Sequence, residues 1–108
     1  MSRKPLLRRR QARLDLEEAV DHYRAEAGAG VAARFIEAAR KGLNAVRDRP
    51  STGSPKFGYD LHLGNMRSRR IVGFPYLIFY TERDSHVEVW RVLHERADIA
   101  ALFGASND

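Results

Sequence analysis

The stretch Tyr76-Leu77-Ile78-Phe79-Tyr80 decides the fold, because its five residues are all aromatic or aliphatic. This aromatic and β-branched content predicts a strand. Alternation puts Tyr76, Ile78 and Tyr80 on one face of that strand and the two residues between them on the other. Both faces are therefore apolar, and such a strand is expected in the interior of a layered fold.

Strand patterns flank this stretch on both sides. Residues 81–86 form a polar turn, and residues 87–93 predict a second strand that pairs with the first as an antiparallel hairpin. A further strand is predicted around residues 66–71, ahead of a glycine and a proline that punctuate the chain. The amphipathic tail at 97–103 predicts a last helical turn or two. Alternation along the last strand predicts a shared face for Glu88, Trp90, Val92 and His94.

The half of the chain before residues 49–55 has a helical pattern, and those residues, rich in proline, glycine and serine, form a breaker loop. Apolar residues recur at helical spacing over residues 12–27 and again over residues 31–46, which predicts two amphipathic helices. Only Gly28-Ala29-Gly30 separates the two stripes, so the helices are expected to pack antiparallel as an αα-hairpin. Residues 4–8 predict a short edge strand.

The predicted order is β-α-α-β-β-β, an α+β fold with a small antiparallel sheet and the αα-hairpin packed on one face. A helix hairpin covers only one face of a sheet, whereas the central strand is apolar on both. Either the C-terminal tail and the breaker loop fold over the second face, or another polypeptide covers it. We expect the second arrangement, which leaves an apolar sheet face for a partner.

Composition indicates one globular domain. The chain has 108 residues, of which 44% are hydrophobic and 31% charged, and no apolar run approaches the roughly 20 residues of a membrane helix. The N-terminus lacks the apolar core of a signal peptide, which favours a cytoplasmic location. The absence of cysteine excludes disulfides, thiolate zinc sites and cysteine nucleophiles, and the scattered histidines predict no metal site and no cofactor.

The basic residues are mostly arginine and lie in clusters. The net charge is +5, and only Lys4, Lys41 and Lys56 are lysine. Arginine suits bidentate contact with phosphate or carboxylate. Such clusters attract nucleic acid or an acidic partner, or else form a solvated surface. The two clusters comprise Arg3, Lys4, Arg8, Arg9, Arg10 and Arg13, and then Arg67, Arg69 and Arg70.

Four motifs, in this order, resemble those of the RelE/ParE superfamily of toxins, and of its ParE branch most closely. They are Ala12-x-x-Asp15-Leu16 followed by Tyr23, Met66-Arg67-Ser68, the stretch from Phe74 to Tyr80, and the ending from Val89 to Ile99. Two features depart from the family pattern: Ala97 separates Arg96 from Asp98, and arginines rather than serine or threonine precede the first helix. The resemblance implies that residues 1–108 form a single RelE/ParE-like toxin domain of a type II toxin–antitoxin system.

The ParE branch implies a toxin that binds and inhibits DNA gyrase without being an enzyme. It also implies a ParD-type antitoxin, whose largely disordered segment folds on binding and covers apolar surface of the toxin in a hetero-oligomer. Candidate contacts with the antitoxin or the target are Tyr76, Ile78, Tyr80, Trp90, His94 and Arg67.

The RelE branch implies a different activity, ribosome-dependent cleavage of mRNA. Such an endoribonuclease needs a base for the ribose 2′-OH, a cation for the phosphate and an acid for the leaving group. Histidine is the side chain type best suited to acid–base work near neutral pH, so His94 is a candidate for it, or it simply forms a hydrogen bond at the end of its strand. Arg96 and Asp98 are expected to form an ion pair that anchors the tail. The candidate catalytic residues of this alternative are Arg67, Arg69, His94 and Arg96.

Overall fold

The computed structural model describes residues 4–105, so Arg3 of the predicted N-terminal basic cluster lies outside the described residues. The helices and strands are, in order, β1 (Leu6–Arg8), α1 (Arg10–Ala27), α2 (Ala29–Asp48), α3 (Lys56–Asp60), β2 (Arg67–Arg70), β3 (Tyr76–Glu82), β4 (Val87–His94) and α4 (Ile99–Ala105). A 3-10 turn at Pro50–Thr52 begins the breaker loop. The α+β class and the predicted order are confirmed, the predicted tail helix is α4, and one short helix, α3, is added before β2.

The four strands form one sheet in the order β1-β4-β3-β2. The β2–β3 and β3–β4 pairs are antiparallel, which confirms the predicted meander. β1 pairs with β4 in parallel, with Leu6 opposite Val87, so the sheet is mixed at this edge. The sequence did not predict the parallel pairing, which requires a long connection between the two strands. The helix hairpin and the meander supply that connection.

The helix hairpin packs on one face of the sheet, as predicted, and forms the main core. A Cβ atom at Gly42 would lie 3.0 Å from Cδ1 of Ile78, so α2 approaches the sheet closely at this point. The ring of Phe35 packs against those of Tyr23 and Tyr76, with centroid separations of 5.1 Å and 5.4 Å. The buried members of this core are Ala12, Ala19, Phe35, Ala39, Leu43, Val46, Ile71, Ile78, Tyr80, Val87, Val89 and Val92.

The opposite face of the sheet is covered by the chain itself. The rings of Phe57 in α3 and Phe103 in α4 pack edge-on against Phe79, with centroids 5.3 Å and 5.2 Å away. The expectation that another polypeptide must cover this face was wrong. The segment before β2 contributes apolar side chains that no regular sequence pattern had assigned to a core. The buried residues on this face are Met66, Phe79, Leu93 and Ile99.

A β-bulge in β4 changes which side chains share a face. Phe79 pairs with Arg91, but its neighbour Tyr80 pairs with Val89. Trp90 is therefore the additional residue of β4. Trp90 packs with the cluster around Phe79, whereas Val92 lies in the main core. The prediction was therefore wrong that one face is shared by Glu88, Trp90, Val92 and His94.

Candidate functional site

A polar cleft of about 280 Å³ opens at the end of β4, between α1 and α4. It is lined by His94 and Tyr76, which pair across β4 and β3 with ring centroids 5.2 Å apart. Burial raises the pKa of Tyr76, and its electrostatic interactions with Tyr23 and Glu18 act in the same direction. α1 contributes Glu18 and His22 to the cleft. Sequence analysis missed these two residues, because only the packing of α1 against β4 brings them to the end of the strand.

His94 has a hydrogen-bonding role at the end of β4. Its Nδ1 accepts the backbone N–H of Arg96 at 3.0 Å, so the neutral ring carries its proton on Nε2. Asp98 Oδ1 accepts the backbone N–H of Ala101 at 3.2 Å and thereby caps the start of α4. No ion pair between Arg96 and Asp98 forms among the described residues, so that prediction was wrong. A helix cap holds the start of the tail instead.

Two of the three arginines of β2, Arg67 and Arg69, bind the breaker loop, whereas Arg70 lies 3.7 Å from Glu95. Arg67 donates from Nη1 to the carbonyl oxygen of Gly53 at 2.8 Å, and Arg69 donates to Thr52 Oγ1 at 3.2 Å. On β3, Arg67 pairs with Tyr80 and His94 pairs with Tyr76, four residues away. At about 3.3 Å per residue and about 4.8 Å between strands, the two backbones are roughly 16 Å apart. Arg67 is therefore not brought to His94, whereas Arg96, another candidate cation of the endoribonuclease alternative, lies beside it in the chain.

Two of the candidate partner contacts are fully buried. Ile78 and Tyr80 lie in the main core with no exposed surface. The hydroxyl of Tyr80 donates to the carbonyl oxygen of Pro50 at 2.7 Å, which ties β3 to the breaker loop. Neither side chain offers surface to a partner, and this corrects their place among the candidate contacts.

Trp90 is held by neighbours within its own chain. Its Nε1 donates to Thr81 Oγ1 at 3.0 Å, and the guanidinium carbon of Arg9 lies 3.3 Å from the ring centroid. This cation–π contact covers one face of the indole. Arg9 also donates from Nε to Glu88 Oε2 at 2.6 Å. The half-buried ring therefore joins β4 to the residue that connects β1 and α1.

Glu88 accepts this hydrogen bond, and its charged form is stabilised. Burial acts to raise the pKa of Glu88, but the hydrogen bond and charge of Arg9, with two further cations nearby, outweigh burial. The pKa therefore lies below its ordinary value of 4.5. A carboxyl group whose pKa is lowered in the folded state stabilises the protein above its unfolded pKa. That contribution is lost as the pH falls through the folded value.

We expect the Glu88→Gln variant to lose this pH dependence. At pH 7 its free energy of unfolding should be about 1 kcal/mol lower than that of the original chain, because an amide attracts Arg9 less strongly than a carboxylate does. Toward the most acidic pH at which the chain stays folded, Glu88 becomes protonated and the two stabilities should converge. Urea denaturation of both proteins from pH 7 downward measures the difference. A difference that does not change with pH would contradict the assignment.

Asp15 on α1 and Arg91 on β4 form a buried ion pair, and the two residues are only 7% and 6% exposed. Asp15 Oδ2 accepts Arg91 Nε at 2.8 Å, and Asp15 Oδ1 accepts Arg91 Nη2 at 2.9 Å. Oδ2 also accepts the backbone N–H of Val92 at 2.9 Å. Arg91 donates from Nη1 to the carbonyl oxygen of Leu102 at 3.3 Å. One ion pair therefore joins α1, β4 and α4, a contact that the motif containing Asp15 did not predict.

An apolar groove of about 470 Å³ runs between α1 and α2. Ile36 lines it and is 47% exposed, although the preceding residue, Phe35, is fully buried. The sequence does contain a signal for this exposed side chain. Phe35 and Ile36 are adjacent apolar residues on one helix, and only one of the two can face the core. The groove is lined by Leu16, Val20, Phe35, Ile36, Ala39 and Leu43, and by the charged residues Arg8, Glu17, Asp21 and Arg40.

No helix within residues 4–105 has the length and apolar character needed to cross a membrane. The same part of the chain holds no group of three or more histidine or acidic side chains that could bind a metal ion.

The chain matches the model of a known protein family. Residues 6–99 match the family model described as the ParE toxin of the type II toxin–antitoxin system parDE. The chain belongs to the ParE toxin family. The resemblance drawn from the four motifs is confirmed, and this ParE toxin is the toxin component of a type II toxin–antitoxin system. None of the curated proteins matches the chain.

A solved structure shares the fold of this ParE toxin over most of its length. The chain is similar to the structure titled "Chromosomal ParDE TA system from P. aeruginosa", with a TM-score of 0.72 and 16% sequence identity. The match covers 84% of this chain and 95% of the other. At this level of identity the similarity shows a common fold, and it confirms the α+β architecture.

Proposed function

We propose that the apolar groove between α1 and α2 receives a segment of a ParD-type antitoxin, which neutralises this ParE toxin in a hetero-oligomer. The observation that carries the proposal is the exposure of Ile36, a large apolar side chain at 47%, in a groove of about 470 Å³. Contiguous exposed apolar surface marks interaction sites in soluble proteins. The solved ParDE system of similar fold supports an antitoxin as the partner.

The groove suits an amphipathic helix. Such a helix places apolar side chains into a groove at positions three or four residues apart and keeps its polar side chains at the edges. Glu17 and Asp21 place acidic side chains on the α1 side of the groove, whereas Arg40 on the α2 side is already paired with Glu37. A docked helix with basic side chains along one edge would turn that edge toward α1, which fixes the direction in which the helix lies.

We further propose that the target is DNA gyrase, and that residues 1–108 act on it as a single binding domain rather than as an enzyme. Membership of the ParE family supports this target. The separation of Arg67 from His94 also supports it, since the endoribonuclease alternative requires a base and a cation at one phosphate. The hydrogen bond that His94 accepts from Arg96 gives this histidine a structural role.

A pair of activity assays tests the target. Purified toxin added to gyrase and relaxed plasmid is expected to block supercoiling and to leave cut DNA linked to gyrase. In a translating extract, the same toxin is expected to leave mRNA intact. Cleaved mRNA together with unaffected gyrase would overturn the proposal. Loss of that cleavage in the His94→Ala variant would then establish the endoribonuclease alternative.

A further inference from the structure

The cations of this chain fall into two classes, those with a carboxylate partner and those without one. Arg40 holds Glu37 with hydrogen bonds of 2.6 Å and 3.1 Å, and Arg47 lies 3.1 Å from Asp48. Among the ion pairs of residues 4–105, none within 4.0 Å involves three cations that lie together on α2 and β2, namely Arg34, Lys41 and Arg69.

These three cations line one groove. The groove lies between α2 and β2 and has a volume of about 510 Å³. Arg34 and Lys41 line it from α2, and Arg69 and Arg70 line it from β2. We refer to it as the α2–β2 groove. It is distinct from the apolar groove between α1 and α2, and the two share no lining residue.

The nearby acidic side chains do not cancel the charge of the α2–β2 groove. Glu37 lines the groove, but its single negative charge is shared: the hydrogen bond from Arg40 and then the charges of Arg40 and Lys41 lower the pKa of Glu37. Glu95 lies 3.7 Å from Arg70, and both side chains are more than a third exposed, where ion pairs are weak. The groove therefore keeps an excess of positive charge.

The spacing of the cations suits a polyanion rather than a single acid. Arg34 and Lys41 are seven residues apart on one side of α2, roughly 10 Å along the helix. A lone carboxylate reaches only one of them. A DNA strand carries a phosphate for about every 3.4 Å of helix axis, so its backbone can reach all three cations at once. The exposed apolar side chain of Val72 lies in the same groove and fits the apolar surface of the sugars.

The aromatic side chain of the groove favours a duplex over a single strand. Proteins that hold single strands stack bases on free aromatic rings. The ring of Phe74 packs edge-on against those of Tyr23 and Phe35, with both centroids 5.2 Å away, so it belongs to the core. We propose that the α2–β2 groove binds the sugar–phosphate backbone of duplex DNA without reading its base sequence. This proposal stands independently of the antitoxin and of the target.

Fluorescence anisotropy with a labelled 20-base-pair duplex and the full chain tests the proposal. The logarithm of the binding constant is expected to fall with the logarithm of salt concentration, with a slope of about −3 for three phosphate contacts. The variant Arg34→Ala/Lys41→Ala/Arg69→Ala should weaken binding by about tenfold or more at low salt and bring the slope close to zero. Because Arg69 also binds Thr52, the variant Arg34→Glu/Lys41→Glu changes only α2 and should lose binding as well.

A matched control comes from the other cationic cluster. The variant Arg8→Ala/Arg10→Ala/Arg13→Ala removes the same charge from the end of β1 and the start of α1, and is expected to bind within about threefold of the original chain. An equal loss in both triple variants would overturn the proposal, because net charge alone would then explain binding. Equal binding of single-stranded DNA would overturn the duplex assignment. Displacement of the duplex by an equal charge concentration of polyglutamate would overturn it in favour of an acidic polypeptide.

Discussion

Replacing Asp15 with alanine is expected to lower the free energy of unfolding by about 3–5 kcal/mol, because it leaves the buried Arg91 guanidinium without its counter-charge. The carboxylate accepts two hydrogen bonds from Arg91 and one from the backbone of Val92. Both side chains are less than a tenth exposed, so water does not replace the lost partner. Domains of this size are stable by only about 5–15 kcal/mol, so the variant should be close to unfolding.

Urea denaturation followed by circular dichroism measures this effect. The double variant Asp15→Ala/Arg91→Met removes both charges and keeps a long apolar side chain, so it should recover part of the lost stability. Glu17→Ala serves as the control, because it removes an exposed acid from the same helix and should change the stability by less than about 0.5 kcal/mol. If Asp15→Ala lost less than about 1 kcal/mol, the ion pair would have no large role in stability.

The same ion pair shows where sequence reasoning stops. Helical periodicity placed α1 and α2, and strand patterns placed the meander, because each of these elements buries one apolar face against a neighbour. Asp15 and Arg91 lie 76 residues apart in the sequence, and neither fits the apolar pattern that surrounds it. Their pairing depends on how α1 sits against β4, which periodicity within one element does not report. The parallel pairing of β1 is a further contact between distant elements.

Face assignments failed at two points for local physical reasons. Alternation assumes an unbroken strand, and the bulge at Trp90 shifts the side chains of β4 after it by one position. The second sheet face was expected to need a partner because a helix hairpin covers only one face, and the sequence did not predict α3, a short helix with no long apolar stripe. Phe57 from this helix and Phe103 from α4 nevertheless cover Phe79. Short segments of this kind bury individual side chains without a repeating pattern.

The candidate site was predicted by residue type and only partly by position. His94 and Tyr76 were predicted to contact the antitoxin or the target, and the structure places both in one cleft. The endoribonuclease alternative grouped Arg67 with His94, but Arg67 binds Gly53, because β2 lies two places from β4 in the sheet. The surface that carries our antitoxin proposal, around Ile36, was assigned to the helix stripe. Sequence places an apolar residue on a helix, but only packing shows whether the residue is covered.

Changing Ile36 to glutamate is expected to weaken antitoxin binding by about 30-fold or more, equivalent to roughly 2 kcal/mol. On binding, the added carboxylate would be buried among the apolar side chains of the groove between α1 and α2, which is costly for a charged group. In the free toxin the side chain at 36 is 47% exposed, so the fold should tolerate the change. Titration with the protein encoded by the neighbouring reading frame measures the affinity. In cells, that protein should no longer rescue growth from the variant toxin.

Leu14→Glu is the matched control, because Leu14 is a similarly exposed apolar residue of the helix hairpin, at 40%, and does not line the groove. This variant adds the same charge on the neighbouring helix and should bind the antitoxin within about threefold of the original toxin. Equal affinity of the two variants would contradict the groove as the docking site. A change at Ile36 that abolished gyrase inhibition while leaving antitoxin binding intact would assign the groove to the target instead, since each partner would then occupy a different surface.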